Sequence, residues 1–354
     1  MAVTKSAPVA PEKRWIPEFT SEASVLRSTV PARTAKEGYY GIPLLKRPTW
    51  GWEVAWYFFL GGISSGSFVL ASLAQLTGKR GLRPLVRTGY ATAFVTFLPC
   101  PPLLIADLGD PSRFHHMLRV FKPGSPMNLG TWALTTYSLP LTLLAGSRAA
   151  AALPWPVGRR LGARLEERGP ARLLSLLGLP PALTMLSYPG VLLSTTSTPL
   201  WSESRCLGAL MACSSFAAAV SANSLALALS GDRRRESRRR LEALEKVAQL
   251  GETIALGSYL VTSRRTLKPL LKGRRGWQFW LGAVGAGLVL PALVRSKEAG
   301  RSRRKTILHS ALSLAGGLAL KWVLTQAGRD SAQDAEICRE ATRPNRSATG
   351  WQPG

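Results

Sequence analysis

The sequence has 354 residues, is 46% hydrophobic, and carries 46 Lys and Arg against 20 Asp and Glu, a formal net charge of +26. So basic a chain suggests nucleic acid, but the charges fall in bursts, such as Arg233-Arg234-Arg235 and Arg238-Arg239-Arg240, between stretches almost free of charge. A nucleic-acid module needs a basic face on a folded soluble core. Here the charges flank apolar runs, so no nucleic-acid partner is expected.

Eight runs approach or reach the roughly 20 residues a helix needs to cross a bilayer. They lie near Glu53–Leu76, Pro84–Asp107, Leu129–Ala150, Leu173–Ser194, Cys206–Ala228, Val247–Val261, Trp277–Val294 and Ile307–Gln326. No soluble core needs so many. The expected fold is therefore an all-α integral membrane protein, a bundle of about eight transmembrane helices over residues 53–328. A polar, Pro-rich N-terminal segment (1–52) precedes it, with no apolar core of a signal peptide, and a polar, weakly ordered C-terminal tail (329–354) follows. Lys and Arg are dense in the odd-numbered connections and sparse in the second and fourth. The positive-inside rule then puts the odd connections in the cytoplasm and both termini outside. The sixth connection, TSRRTLKPLLKGRRG, breaks this pattern.

The four cysteines, Cys100, Cys206, Cys213 and Cys338, show no CxxC spacing, and neither a disulfide framework nor an iron–sulfur ligand set is visible. Of the three histidines, His115 and His116 are neighbours in a loop and only His309 lies in an apolar run, where it reads as a packing or interfacial residue. One histidine cannot make a bis-His site, so neither haem nor bound metal is expected. Any electron transfer would use a cofactor that diffuses in or belongs to a partner.

Ionisable groups inside spans are expensive and mark functional candidates. Glu53 opens the first run, Asp107 closes the second, and Glu252 stands inside the sixth. Lys321 lies in the eighth, where a long stem lets such a residue snorkel to the interface. Tyr57 sits a turn before GGISSGS, whose small residues permit close helix approach. In the fourth run, Tyr188 precedes Pro189 and Gly190, which loosen the helix. A phenol there can donate to a quinone carbonyl or accept from a quinol. Between the second and third runs lies ADLGDPSRFHHMLRVFKPGSPMNLGTW, polar and turn-prone where its flanks are apolar.

Three segments, WEVAWYFFLGGISSGSF, PPLLIADLGDPSRFHHMLRVFKPGSPMNLGTW and SYPGVLLSTTSTPLW, carry a resemblance to the NrfD/polysulfide-reductase membrane-subunit family, running from about Tyr40 to Glu252. The resemblance implies an eight-span helical protein of the bacterial cytoplasmic membrane without haem. It would anchor an iron–sulfur (ferredoxin-like) subunit, coupled in turn to a molybdopterin enzyme or a cytochrome, and would exchange electrons with the quinone pool. It also implies a quinone site near the outer surface, between the first spans and the fourth. Tyr188 takes the place of the family's SYPG-type tyrosine, and Tyr57 stands where some members have a histidine. That change removes a group titrating near neutral pH and shifts proton exchange to Asp107, with Glu53 nearby, or to the loop histidines. Glu252 matches a carboxylate of related chains and is expected on a proton path from the other side. Arg113, His115, His116, Arg119 and Lys122 are expected to form the docking surface for the soluble partner. A structural anchor that has lost its quinone site is the main alternative; a transporter is disfavoured because no inverted repeat with matched broken helices is evident.

Overall fold

The computed structural model describes residues 44–152, 160, 164, 168–230, 235–294 and 302–342. The expectations for residues 1–43, for the end of the tail (343–354) and for the basic pair Arg233-Arg234 lie outside them. Among the described residues all regular structure is helical. The helices of more than four residues are α1 (Trp52–Thr77), α2 (Arg83–Phe97), α3 (Cys100–Ala106), α4 (Pro126–Ala152), α5 (Arg168–Ser194), α6 (Leu207–Leu229), α7 (Arg235–Thr262), α8 (Gly273–Val294), α9 (Arg303–Ser331) and α10 (Ala335–Thr342).

Among the described residues, six helices are long and apolar enough to cross a membrane: α1, the α2–α3 unit (Arg80–Ala106), α5, α6, α8 and α9. They coincide with six of the eight apolar runs. The other two runs fall within α4 and α7, of 27 and 28 residues, which are long but more polar. Helix α7 opens with RESRRRLEALEK, and α4 carries Pro140, Arg148 and a string of threonines and serines.

Helix α1 is the centre of the bundle, packed against α2, α3, α5, α6 and α9. Its serines are buried and must find partners inside the protein, since no water is there to compensate them. Ser64 donates to the Ala93 carbonyl (2.7 Å) and meets the Tyr137 hydroxyl (2.8 Å). Ser67 accepts from the Asn223 amide (2.8 Å). Ser72 meets the Tyr90 hydroxyl (3.0 Å), which reaches on to Ser175 (2.8 Å). One helix is thereby tied to α2, α4, α5 and α6. Phe68 fills the space between, edge-on to both Tyr90 and Tyr137.

Three expectations are corrected. The second run is not one continuous helix: Pro99, Pro101 and Pro102 remove successive amide donors, so α2 ends at Phe97 and α3 restarts at Cys100. Lys321 does not snorkel. Its side chain is completely buried and donates to Ser214 of α6 (3.1 Å), because it faces the bundle instead of lipid. Nor is the described part of the tail, to Thr342, irregular. Helix α9 continues to Ser331 and α10 follows, burying Ala335, Ile337 and Cys338 and packing beside the short helix Pro199–Ser202.

Helix α8 is π-helical from Gln278 to Val289. Its Gly287 lies backbone-to-backbone against Gly316 of α9, leaving no room for a side chain at either position. Gly316→Val is therefore expected to push α8 off α9 and to destabilise the protein by about 1–3 kcal/mol, typical of overpacking. Thermal unfolding in detergent, beside a Gly257→Ala control in open space, checks this; an unchanged Tm would mean that α8 does not need this contact.

Candidate functional site

The end of the bundle that holds the start of α1 is built from four helix termini. Glu53 lies in the first turn of α1, where the helix dipole favours a carboxylate. Tyr57 follows one turn later and is buried. The α2–α3 unit delivers Asp107 as the residue capping its C-terminus. Helix α4 begins at Pro126, and α5 brings in Tyr188.

These elements enclose a cleft of about 60 Å³ lined by Tyr57, Asp107 and Tyr188 together with mostly apolar side chains, among them Phe58, Met127 and Leu192. The structure thus brings together three residues that lie far apart in the chain. Glu53 stands beside Asp107 without lining the cleft.

The Tyr188 hydroxyl donates to the Pro126 carbonyl (2.5 Å), with the Gly130 amide facing the same oxygen. Its ring lies against Gly130, where any Cβ would overlap it. The Tyr57 hydroxyl, by contrast, makes no hydrogen bond among the described residues, and Cys100 lies close to its ring. The Asp107 carboxyl is pushed up from its ordinary value to about 6, first by burial and then by the neighbouring Glu53 charge. A backbone hydrogen bond from Gly51 and the Arg329 guanidinium pull it partly back. The cleft therefore holds one phenol with an unspent donor, one phenol engaged with backbone, and one carboxyl that changes charge near neutral pH.

Outside the cleft, the expected docking residues Arg113, His115, His116, Arg119 and Lys122 lie on the 107–125 connection, all of them outside the buried core. Asp110 orders its first turn, accepting from the Ser112 amide (3.1 Å) and pairing with Arg113 (2.9 Å). His115 contacts the Ser112 carbonyl (3.1 Å), and its ring lies 4.3 Å from that of His116.

Asn128, not singled out from the sequence, holds the rest of the loop. Its amide donates to the Met117 and Val120 carbonyls (both 3.0 Å), and its carbonyl accepts from the Lys122 amide (2.7 Å). The signal was the Asn inside SPMNLGTW, a residue able to bond backbone in both senses. Asn128→Ala is expected to free this loop while leaving the helices in place, at a cost of about 1–3 kcal/mol from the unpaired backbone groups. Limited proteolysis should then cut within residues 113–125 faster than in the wild type; equal rates would remove Asn128 from this role.

Glu252 is not brought to the cleft. It lies buried on α7, hydrogen-bonded to Ser214, which Lys321 of α9 also contacts. A serine hydroxyl therefore bridges a buried carboxyl and a buried amine. Elsewhere on α7, Glu245 faces His309 of α9; both are buried, with 3.7 Å between Oε2 and Nδ1. His309 is thus a core residue beside a carboxylate rather than an interfacial one. Removing one member of the Glu252–Ser214–Lys321 group leaves a buried polar partner unsatisfied, at a cost of about 1–3 kcal/mol. Lys321→Met is expected to lose that much, and the double variant Lys321→Met/Glu252→Gln to recover part of it. Chemical or thermal unfolding of the single and double variants tests the coupling; strictly additive losses would show that the two groups do not interact.

Among the described residues, no group of three or more His, Cys, Asp or Glu is arranged to hold a metal. The architecture and the site define a multi-pass, all-helical membrane protein with a small acid- and phenol-bearing cleft at one end of its bundle. The family model for polysulphide reductase NrfD matches residues 44–330, and the chain belongs to that family. It is 26% identical to the C component of the polysulfide reductase of Wolinella succinogenes over 298 residues, covering 79% of this chain and 94% of that protein. It is also 26% identical over 108 residues to the C component of the selenate reductase of Mesobacillus selenatarsenatis, covering 30% of this chain and 25% of that one.

Proposed function

We propose that this chain is the quinone-reactive membrane subunit of a bacterial oxidoreductase complex, with α4 and α7 completing an eight-span bundle in the cytoplasmic membrane. The observation that carries the reading is the cleft itself: an apolar slot lined by Tyr57, Tyr188 and the Asp107 carboxyl, which burial pushes up to about 6. An apolar pocket with a few convergent polar groups is the ordinary form of a small-molecule site. A quinone headgroup, apolar with two opposed carbonyls, matches its chemistry, and at about 60 Å³ the cleft must widen to admit one. Relatives named as lettered components of polysulfide and selenate reductases support membership of a complex with separate catalytic subunits.

Oxidation of a quinol releases two electrons and two protons; reduction takes them up. The chain's residues supply the proton half. Tyr57 donates to one oxygen of the ring. Tyr188, whose proton is committed to Pro126, accepts from a quinol hydroxyl or turns to donate to a quinone carbonyl. Asp107, at the mouth, relays the proton to water, being protonated below about pH 6 and ionised above it. The electrons pass to or from an iron–sulfur partner seated on the 107–125 loop, and from there to a molybdopterin enzyme or a cytochrome. The Glu252–Ser214–Lys321 group is assigned to a proton path from the opposite side.

The test is titration of the purified protein with a menaquinone or ubiquinone analogue, followed by quenching of its tryptophans. Saturable binding is expected, weakened about tenfold in Tyr57→Phe and in Tyr188→Phe by loss of a buried hydrogen bond. In the wild type, binding of the quinol should change between about pH 5 and 7 as Asp107 ionises, and Asp107→Asn should flatten that dependence. If intact protein shows no saturable binding, the chain is an anchor for soluble partners. The Tyr188–Pro126 bond and the small size of the cleft would then be its fixed state.

A further inference from the structure

The other end of the bundle carries a second cavity, larger than the cleft and opposite in character. Its volume is about 320 Å³, and Lys79, Arg83, Arg87, Arg148 and Arg172 line it, with no carboxylate among the described lining residues. Helix α1 runs from Trp52 to Thr77, so this cavity, lined by Ala74, Gln75 and Gly78, lies roughly 32–38 Å along its axis from Glu53. Three connected features build it. Gly78 ends α1 in the left-handed region (φ 67°) and turns the chain so that Lys79, Arg83 and Arg87 fall on one side. Arg172 of α5 reaches across until its guanidinium lies against Gly78. Arg148 of α4 donates to the Leu144 carbonyl (2.7 Å) and the Gln75 side chain (3.4 Å), with its guanidinium 4.6 Å from the centre of the Tyr90 ring.

Lys79, Arg83, Arg87 and Arg172 converge on one concavity and repel one another, and no ion pair offsets them among the described residues. An anion shared among them relieves that repulsion. The guanidinium forks match the oxygens of a phosphate, and Arg148 is already held in place by stacking and two hydrogen bonds. The cavity opens where α1 and α4 end and α2 and α5 begin, at the strongly basic connections that the charge rule assigns to the cytoplasmic face. Basic pockets between helices at that level are suited to anionic lipid headgroups.

We propose that this cavity is a binding site for a phosphate group, supplied by the headgroup of an anionic phospholipid. It depends on the chain's being a membrane protein and not on the quinone reading. Free inorganic phosphate shares the chemistry, and the experiment separates the two sources.

Full-length protein in neutral detergent would be titrated separately with phosphatidylglycerol, with zwitterionic phosphatidylcholine and with inorganic phosphate, reading lipid adducts by native mass spectrometry and Tm by thermal shift. The wild type is expected to retain phosphatidylglycerol over phosphatidylcholine, with binding weakened by added salt. The triple variant Arg83→Gln/Arg87→Gln/Arg172→Gln should bind it at least about tenfold more weakly. A control of equal charge loss elsewhere, Arg264→Gln/Arg274→Gln/Arg304→Gln, should bind as the wild type does. If inorganic phosphate alone raises the Tm and displaces the lipid, the site takes free phosphate. If only the lipid does so, the headgroup is its ligand. Should the triple variant fail to fold, Arg172→Gln alone carries the comparison. Equal binding by variant and control, or no saturable binding of either phosphate probe, overturns the proposal.

Discussion

The bundle depends on how the polar groups of its most buried helix are satisfied. Helix α1 is walled in by protein, so Ser64, Ser67 and Ser72 cannot turn to water. Each therefore bonds to a different neighbour, reaching Ala93 and Tyr137, Asn223, and Tyr90 with Ser175 behind it. Between helices in an apolar medium the hydrophobic effect supplies little attraction, and close packing with such hydrogen bonds takes its place. These contacts have direction as well as strength. They set the rotation of α2, α4, α5 and α6 about α1, and from that rotation both ends of the bundle follow.

One end becomes an apolar cleft with an acid and two phenols; the other becomes a basic cavity. The difference has a common origin in α1 itself. Its first turns carry Glu53 and Tyr57, and its last carbonyls are closed off by Gly78, beyond which the charge turns positive. Between the ends lie the buried polar groups, Glu252 with Ser214 and Lys321, and Glu245 with His309. Their pairing across helices is what makes charge tolerable there, because an isolated buried charge would cost far more than the fold can supply.

Much of this was legible in the chain. The apolar runs mark helices that exist, and Tyr57, Asp107 and Tyr188 were recognisable from their segments before any of them was seen to share a cleft. What local pattern could not reveal was contact. Lys321 reads as a snorkelling residue because the sequence shows a long stem near a span, whereas its actual environment is set by Ser214, 107 positions away. Asn128 is one polar residue in a polar stretch until the three backbone groups it holds are in place. The helix that follows α9 is polar on average, and only its packing beside Pro199–Ser202 makes it part of the bundle.

The sequence by itself determined that this is a helical membrane protein, where its long helices run, and which family it resembles. Those properties rest on hydropathy and short motifs, all local to the chain. Tertiary structure alone decided which polar groups meet. It placed Tyr188 on Gly130 and Asp107 beside Glu53, and it gathered Arg148 and Arg172 with Lys79, Arg83 and Arg87 around one cavity. Those outcomes depend on the rotation of each helix about its own axis. That rotation is set by the sum of its contacts with neighbours distant in sequence, which no single segment encodes.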